Sequence, residues 1–498
     1  MPKTRDHATH PHAWPTAAEL TVGVALACTM SWVSMNFKSL SLFASYTHSE
    51  TLLDAVYLVS IIAVSLTLFT AGGLDRATGS LLERRATRFA LPLGVTASTL
   101  VMPLAGLEGL AGEVALYASG VLSGVFSGLF LFEFGMAFSL MTTRSIVIGA
   151  AVGSTLSTLL FALSVLFQPL EACLFSASMP PIAAVLLANG MRGVRPAERE
   201  EPCALSDQRP LDDAQERGEW RQLTAKLALA SFLVGFANEA TRTLYMQMGI
   251  ANNGATPYAF IQALTSFGVT AGTVAIALAL LASKAEHMAR NAYHALVVLL
   301  MMGTLLLPLP LLYPQVGVHL PYAVNAAGYT CFGMFMWTIT ASVCGRYQQA
   351  RVRTFGFVRG AWALGPLLGM LLGRYVLHGA GLSLETTFPV MLAAALALLL
   401  ASNGVFTGTD LVKAMDIIPL ARKQRFRAKC LRVIERYGLS EREGEIMVML
   451  AKGRNLPYVQ EHLYLSRSTV STHRQHIYQK LEIHSQQELM DLVERTEE

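Results

Sequence analysis

From residue 17 to about 404 the chain repeats runs of roughly twenty apolar residues, the length that carries a helix across a hydrocarbon layer of about 30 Å. The runs fall near 17–37, 52–71, 89–106, 114–137, 145–167, 170–189, 224–247, 258–281, 293–312, 321–344, 355–377 and 385–403, which predicts about twelve spanning helices. They divide six and six around a stretch rich in Arg, Glu, Asp and Pro between Met191 and Gln222, too poor in apolar residues to bury a core and expected to be a disordered linker. Beyond 404 the pattern changes. Apolar residues now recur every three or four positions within short segments bounded by Ser and Gly, as helices of a water-soluble domain do. The expected fold is all-α: a polar N-terminus (1–16), a first membrane half (17–190), a linker (191–223), a second half (224–404), a basic juxtamembrane stretch (405–436) and a four-helix C-terminal domain (437–498).

Composition agrees with the pattern. Hydrophobic residues make up 53% of the chain and charged residues only 14%, which excludes an ordinary soluble globular protein. Lys and Arg alternate from loop to loop: Lys3, Arg5, Arg84, Arg85, Arg88, Arg144, Arg192, Arg217, Lys284 and Arg353 fall on one side, and the opposite loops carry little beyond Lys38. The positive-inside rule then predicts a multi-pass cell-membrane protein with both termini cytoplasmic. Met1 to Pro15 is polar and contains His7, His10 and His12, so no cleavable signal peptide is expected and the histidines read as a solvated tail rather than a metal site. The six cysteines show no C-x-x-C spacing and read as reduced packing residues. No phosphate-binding loop, H-E-x-x-H or nucleophile elbow is present, so neither an enzyme nor a cofactor is expected.

The C-terminal segment carries the sharpest local signals. Ser440 with Glu443 is a capping box opening a run with Ile446, Met447, Leu450 and Ala451 on one face, and Gly453 closes it. Leu456 to Leu463 predicts a second helix with Pro457 in its first turn. Ser466 caps a third, in which Val470, Ile477 and Leu481 face inward while Ser471, Thr472, Arg474, Gln475 and Lys480 stay polar. Ser485 and Glu488 open a fourth. Two short helices joined by a tight turn, the second polar on its outer face, form a helix-turn-helix layout able to read base edges. Expected DNA-contact residues are Thr469, Val470, Ser471, Thr472, Arg474, Gln475 and Lys480, with Gln475 and Thr472 on bases and Thr469, Arg474 and Lys480 on phosphates. These residues resemble the LuxR-type (GerE-like) helix-turn-helix family: Leu439-Ser440-Glu441-Arg442-Glu443, Gly453, Val459, Leu463, Leu465-Ser466, Thr469-Val470, His473, Ile477 and Lys480-Leu481 fall at its spacings over about 55 residues. The resemblance implies a domain that binds double-stranded DNA as a dimer through its fourth helix, here Leu489, Leu492 and Val493. Gln460 and Glu482 depart from the family's usual Ala and Gly, and Ser471 and Gln475 stand where Lys is frequent. Basic residues from Arg422 to Arg436 either make up the missing phosphate attraction or face lipid headgroups.

Within the membrane part, six plus six spans around a central loop, with Gly72-Gly73-Leu74-Asp75-Arg76 and Arg84-Arg85 after the second span, resemble the major facilitator superfamily. Asn238, Glu239 and Arg242 are the expected sensing residues, because charges at membrane depth are costly and usually face a cavity; the competing reading is a structural ion pair at i, i+3. Asp54, Glu133, Arg359 and Arg374 lie nearer span ends, where snorkelling to the headgroups is the expectation and a ligand contact the alternative. Trp32, Phe126, Phe130, Trp337 and Trp362 serve either packing or an apolar pocket. The stretch from Val405 to Ile434 is too short for a phosphoacceptor receiver domain, so the input must come through the membrane part. The function expected is a membrane-embedded one-component transcriptional regulator responding to a small-molecule effector or to the bilayer. A permease with a DNA-binding tail and a transporter whose tail binds only protein are the alternatives.

Overall fold

A computed structural model of the chain describes residues 15–37, 50–107, 109–194, 214–253, 288–415, 429–451, 453–463 and 465–496, together with 265, 267, 270, 271 and 274. The described residues are helical and contain no strand. They form two compact units, Met1–Met415 and Asp416–Glu498.

In the first unit α1 spans Ala17–Phe37, α2 Glu50–Gly73, α3 Asp75–Glu83, α4 Thr87–Leu100, α5 Leu110–Ser139, α6 Thr143–Ser164 and α7 Pro169–Gly193. There follow α8 Ala214–Asn253, α9 Met288–Leu305, α10 Leu309–Leu312, α11 His319–Arg346, α12 Arg351–Ala380, α13 Leu384–Leu399 and α14 Gly408–Met415. Among the described residues nine helices are long and apolar enough to cross a membrane. The long helices α8 and α11 occupy the expected spans at 224–247 and 321–344 without being among the nine, and most of the expected span at 258–281 lies outside the described residues. Both ends of the expected linker turn out helical, since α7 runs to Gly193 and α8 opens at Ala214.

Close approaches join the halves of this unit. A Cβ built on Gly356 of α12 would stand 2.6 Å from the Gly72 Cα of α2, so only glycine permits the two backbones to touch there. At the same end Arg353 of α12 pairs with Asp75 of α3 at 2.7 Å, which gives the Gly-Gly-Leu-Asp-Arg loop a role in fastening the two halves. Phe132 and Phe355 add an aromatic contact across the interface, with ring centroids 5.1 Å apart.

The second unit consists of a helical stretch at 429–436 and four helices: α15 Glu441–Ala451, α16 Leu456–Leu463, α17 Arg467–Leu481 and α18 Gln486–Arg495. Its own core includes Cys430, Ile446, Met447, Leu450, Val459, Val470, Ile477, Leu481, Leu489 and Val493. The predicted caps form. Ser440 N–H donates to Glu443 Oε2 at 2.8 Å while Glu443 N–H donates to Ser440 Oγ, and Ser466 Oγ accepts from Thr469 N–H. At α18 the return bond differs, because Glu488 accepts from His484 N–H rather than from that of Ser485. Gly453 ends α15 in the left-handed region at φ 79°, and Glu482, which ends α17, adopts φ 55° without being glycine.

Candidate functional site

The candidate DNA-reading surface is the outer face of α17. Thr469, Thr472 and Gln475 are exposed, and Ser471 and Arg474 half-buried, on a helix held from behind by Val470, Ile477 and Leu481. Thr472 Oγ1 bonds back to Ser468 O at 3.0 Å and Thr469 Oγ1 lies 2.7 Å from Ser466 Oγ, so of the three exposed side chains Gln475 presents the longest polar reach. Arg467 and Ser468, which were not among the predicted contacts, are exposed in the first turn of the same helix.

Four expectations are corrected by burial or by partners. Val470 is fully buried and packs the core, so it orients α17 without touching a base. Leu489 and Val493, 0% and 2% exposed, likewise fill the core of their own domain, which leaves only the half-buried Leu492 on the accessible side of α18. Lys480, though exposed, places its ammonium 2.6 Å from Glu443 Oε2 and toward Gly438 O, so it is engaged by groups of its own domain rather than free for phosphate. That contact ties the end of α17 to the first turn of α15. The hydrogen bond from Lys480, with those from Ser440, holds the Glu443 carboxyl down at about 2. Arg442 acts in the same way, bonding Glu445 at 2.6 Å and capping α16 through Leu463 O at 3.1 Å.

A second cluster lies inside the membrane unit. On α8, Arg242 and Glu239 form a buried ion pair whose Nε–Oε1 contact is 2.9 Å, with Asn238 buried beside them. Tyr57 of α2 donates to Glu239 Oε1 at 3.5 Å, and Arg242 also reaches Met246 Sδ. Arg242 is therefore neutralised on its own helix. Arg359 of α12 is not: it is only 7% exposed, its guanidinium lies 3.6 Å from the centroid of Trp337, and its Nε and Nη2 have no hydrogen-bond partner among the described residues. The expectation that Arg359 snorkels fails because α12 begins at Arg351, placing this residue more than two turns inside the helix. Glu133 lines a cavity of about 160 Å³ together with Arg88 and Arg351, and its buried Oε1 has no partner among the described residues. Trp32, 1% exposed, donates to Thr99 Oγ1 at 2.8 Å and is a packing residue, as is Phe130.

Cys28, Cys173, Cys331, Cys344 and Cys430 carry free thiols, and no metal-binding group occurs among the described residues. His7, His10, His12, Cys203, Arg422 and the Asp54 side chain lie outside them.

The last helix of the membrane unit, α14, is fastened to the spans. Lys226 of α8 reaches both carboxylate oxygens of Asp410, at 3.0 and 3.1 Å, while Thr407 donates to the same carboxylate through its N–H and hydroxyl. Burial pushes the Asp410 carboxyl up, but the bonds from Thr407 and Lys226 outweigh it and hold the group below its usual value. Phe406, Leu411 and Ala414 bury their side chains against α8, α9 and α11.

Residues 438–493 match the family model of bacterial regulatory proteins of the luxR family. The chain is 40% identical over 65 residues to the uncharacterized response regulatory protein YgeK of Escherichia coli, spanning 12% of this chain and 44% of that protein. It is 44% identical over 57 residues to the response regulator UvrY of the same organism, 11% of this chain and 26% of UvrY. The chain thus spans less than half the length of these relatives. Over the membrane unit it resembles solved transporters in fold. The human organic anion transporter MFSD10 superposes with a TM-score of 0.55 at 16% identity, covering 78% of this chain and all (100%) of that one. The proton:xylose symporter XylE, of the major facilitator superfamily, gives 0.52 at 13% identity over 77% and 93%. A bacterial homologue of the iron transporter ferroportin gives 0.53 at 12% identity over 80% and 100%. The C-terminal unit is a LuxR-type helix-turn-helix domain, and it is fused to a membrane domain with the fold of major facilitator transporters.

Proposed function

We propose that this protein is a one-component transcriptional regulator resident in the cell membrane with both termini cytoplasmic, in which the facilitator-like domain senses a small molecule and the C-terminal domain reads DNA as a homodimer. The observation that carries this reading is the fusion itself. A LuxR-type domain whose outer α17 face is free of intradomain packing follows a membrane domain that buries an ion pair and a separate cation among its spans. The coupling we favour runs through α14. It is clamped to α8 by Lys226 and Asp410 and packs on α11, so movement of those helices shifts the segment from which the chain continues into the C-terminal unit. An effector moves such an equilibrium only by binding one state more tightly than the other.

In this reading Gln475 contacts a base, Thr472 and Ser471 support it, and Thr469 and Arg474 approach phosphates; Lys480 fastens the domain. Dimerisation uses the surface of α18 around Leu492. The test is a footprint of residues 415–498 on DNA upstream of the chain's own and neighbouring genes, repeated with Gln475→Ala. Protection that weakens steeply with salt, together with loss of preference at one operator position worth about 1–3 kcal/mol, is expected. A folded, helical fragment that retards no genomic DNA at low salt overturns the reading in favour of a transporter with a protein-binding tail.

A further inference from the structure

The spare cation of the membrane domain identifies the kind of molecule it takes. Arg359 has no carboxylate partner among the described residues, whereas Arg242 is matched by Glu239. Tyr329 of α11 lies within electrostatic reach of Glu239, Arg242 and Arg359 together, and Tyr57 within reach of Glu239, Arg242 and Tyr329, which makes these groups one cluster. Counted over the described residues of that cluster there are two guanidinium cations and one carboxylate, an excess of one positive charge. A buried charge left uncompensated is expensive, and a protein retains one where something else supplies the counter-charge.

The surroundings of Arg359 are flat and aromatic. Its guanidinium stacks at 3.6 Å on Trp337 and stands 5.8 Å from the rings of Phe355 and Trp362, and Trp362 in turn lies 5.5 Å from Tyr329 and stacks on Phe332 at 5.4 Å. One turn after Trp337 on α11, the hydroxyl of the fully buried Thr340 also has no partner among the described residues. Trp337 lies over the guanidinium, and the buried Nε and Nη2, with no hydrogen-bond partner among the described residues, form the two-pronged donor that matches a carboxylate. The aromatic rings around the guanidinium suit a planar apolar body better than an aliphatic or polyhydroxyl one.

We infer that the cluster around Arg359, Trp337, Trp362 and Tyr329 binds a monoanionic ligand made of one carboxylate on a flat, unsaturated or aromatic body, with Arg359 taking the carboxylate edge-on. The site deepens the sensing role proposed above and rests on it only for its regulatory meaning, because binding is measured directly.

The experiment is equilibrium binding to the purified full-length chain in detergent, using benzoate against benzamide and indole-3-acetate against indole-3-acetamide. Each pair keeps the shape and removes the charge. The carboxylate is expected to bind at least about tenfold more tightly than its amide, since a charge-assisted bidentate contact is worth more than a neutral one. In Arg359→Gln that preference disappears. Arg359→Lys, which keeps the charge but not the fork, retains a reduced preference and checks that loss in the Gln variant is not loss of fold. The absence of any carboxylate preference in the native chain, or one that survives unchanged in both variants, overturns the inference. DNA occupancy of the same preparation is read in parallel. Arg359-dependent carboxylate binding that leaves occupancy unchanged upholds the site and counts against the regulator reading.

Discussion

The two units of this molecule treat buried charge in opposite ways. In the C-terminal domain every buried charge found among the described residues is spent on architecture: Glu443 accepts from Ser440 and Lys480 and thereby fixes two helices. In the membrane domain one charge is closed upon itself, Arg242 with Glu239, while Arg359 rests on rings with two of its nitrogens unbonded. Low polarity makes each choice consequential, since an unpaired polar group is more costly where the surroundings are drier. A domain whose task is to present a rigid surface satisfies its polar groups internally. A domain proposed to respond to a ligand leaves one for the ligand to satisfy.

The contrast within the membrane domain breaks most sharply at Glu239 and Arg359. Glu239→Gln leaves Arg242 buried without its counter-charge and is expected to cost about 3–5 kcal/mol, seen as a large fall in membrane abundance and in the apparent unfolding temperature in detergent. Arg359→Gln orphans no partner, so it should be neutral or stabilise the apo chain by roughly 1–2 kcal/mol, the relief of desolvation exceeding the lost stacking on Trp337. Equal destabilisation by both changes would mean that Arg359 has an architectural function and would remove the distinction.

These two arginines also show what the sequence could reveal. Glu239 and Arg242 stand three residues apart, so a helix brings them together whatever the rest of the fold does, and the pair was legible. Arg359 meets Trp337 from another helix, and its depth depended on where α12 begins, which apolar windows locate only within a few residues. The same division holds in the C-terminal domain. The caps at Ser440 and Ser466 are local and formed as predicted, whereas the partner of Lys480 lies 37 positions away, so its side chain read as a phosphate contact. The family resemblance implies a dimer contact at Leu489 and Val493, and the amphipathic pattern of their helix could not correct it, because it shows that a face is buried without showing against what.

The architectural use of Glu443 predicts a pH dependence. Its carboxyl is held down at about 2 from an ordinary value of 4.5, so the stability it contributes is fully present above pH 4.5 and is lost as pH falls toward 2. Lys480→Gln removes the first of the bonds responsible. For residues 415–498 it should lower the unfolding free energy at neutral pH by about 1–2 kcal/mol and flatten the acid limb between those values, as followed by circular dichroism in urea. An unchanged acid limb would show that the Ser440 bonds alone hold the carboxylate. DNA affinity should fall only as far as the folded fraction does; a reduced salt slope in the fully folded variant would restore Lys480 to the phosphate contacts.

The smallest effect concerns the one described residue other than glycine in the left-handed region. Glu482 closes α17 at φ 55°, where a side chain meets the backbone in a way glycine avoids. The conformation persists because the Glu482 N–H donates to Gln479 O at 3.3 Å and the following Ile483 N–H to Tyr478 O at 3.0 Å, after which Ile483 itself enters the core. Glu482→Gly should relieve the strain and retain both bonds. Part of the gain is returned through the greater freedom of glycine in the unfolded chain, which leaves a net stabilisation of about 0.5–1 kcal/mol. Because Glu482 is exposed and its substitution also removes a negative charge next to the end of the reading helix, nonspecific DNA binding should strengthen slightly, by an amount that vanishes at high salt. A loss of stability in Glu482→Gly, measured by the same urea titration, would show that the Glu482 side chain makes a favourable contact that outweighs the backbone strain.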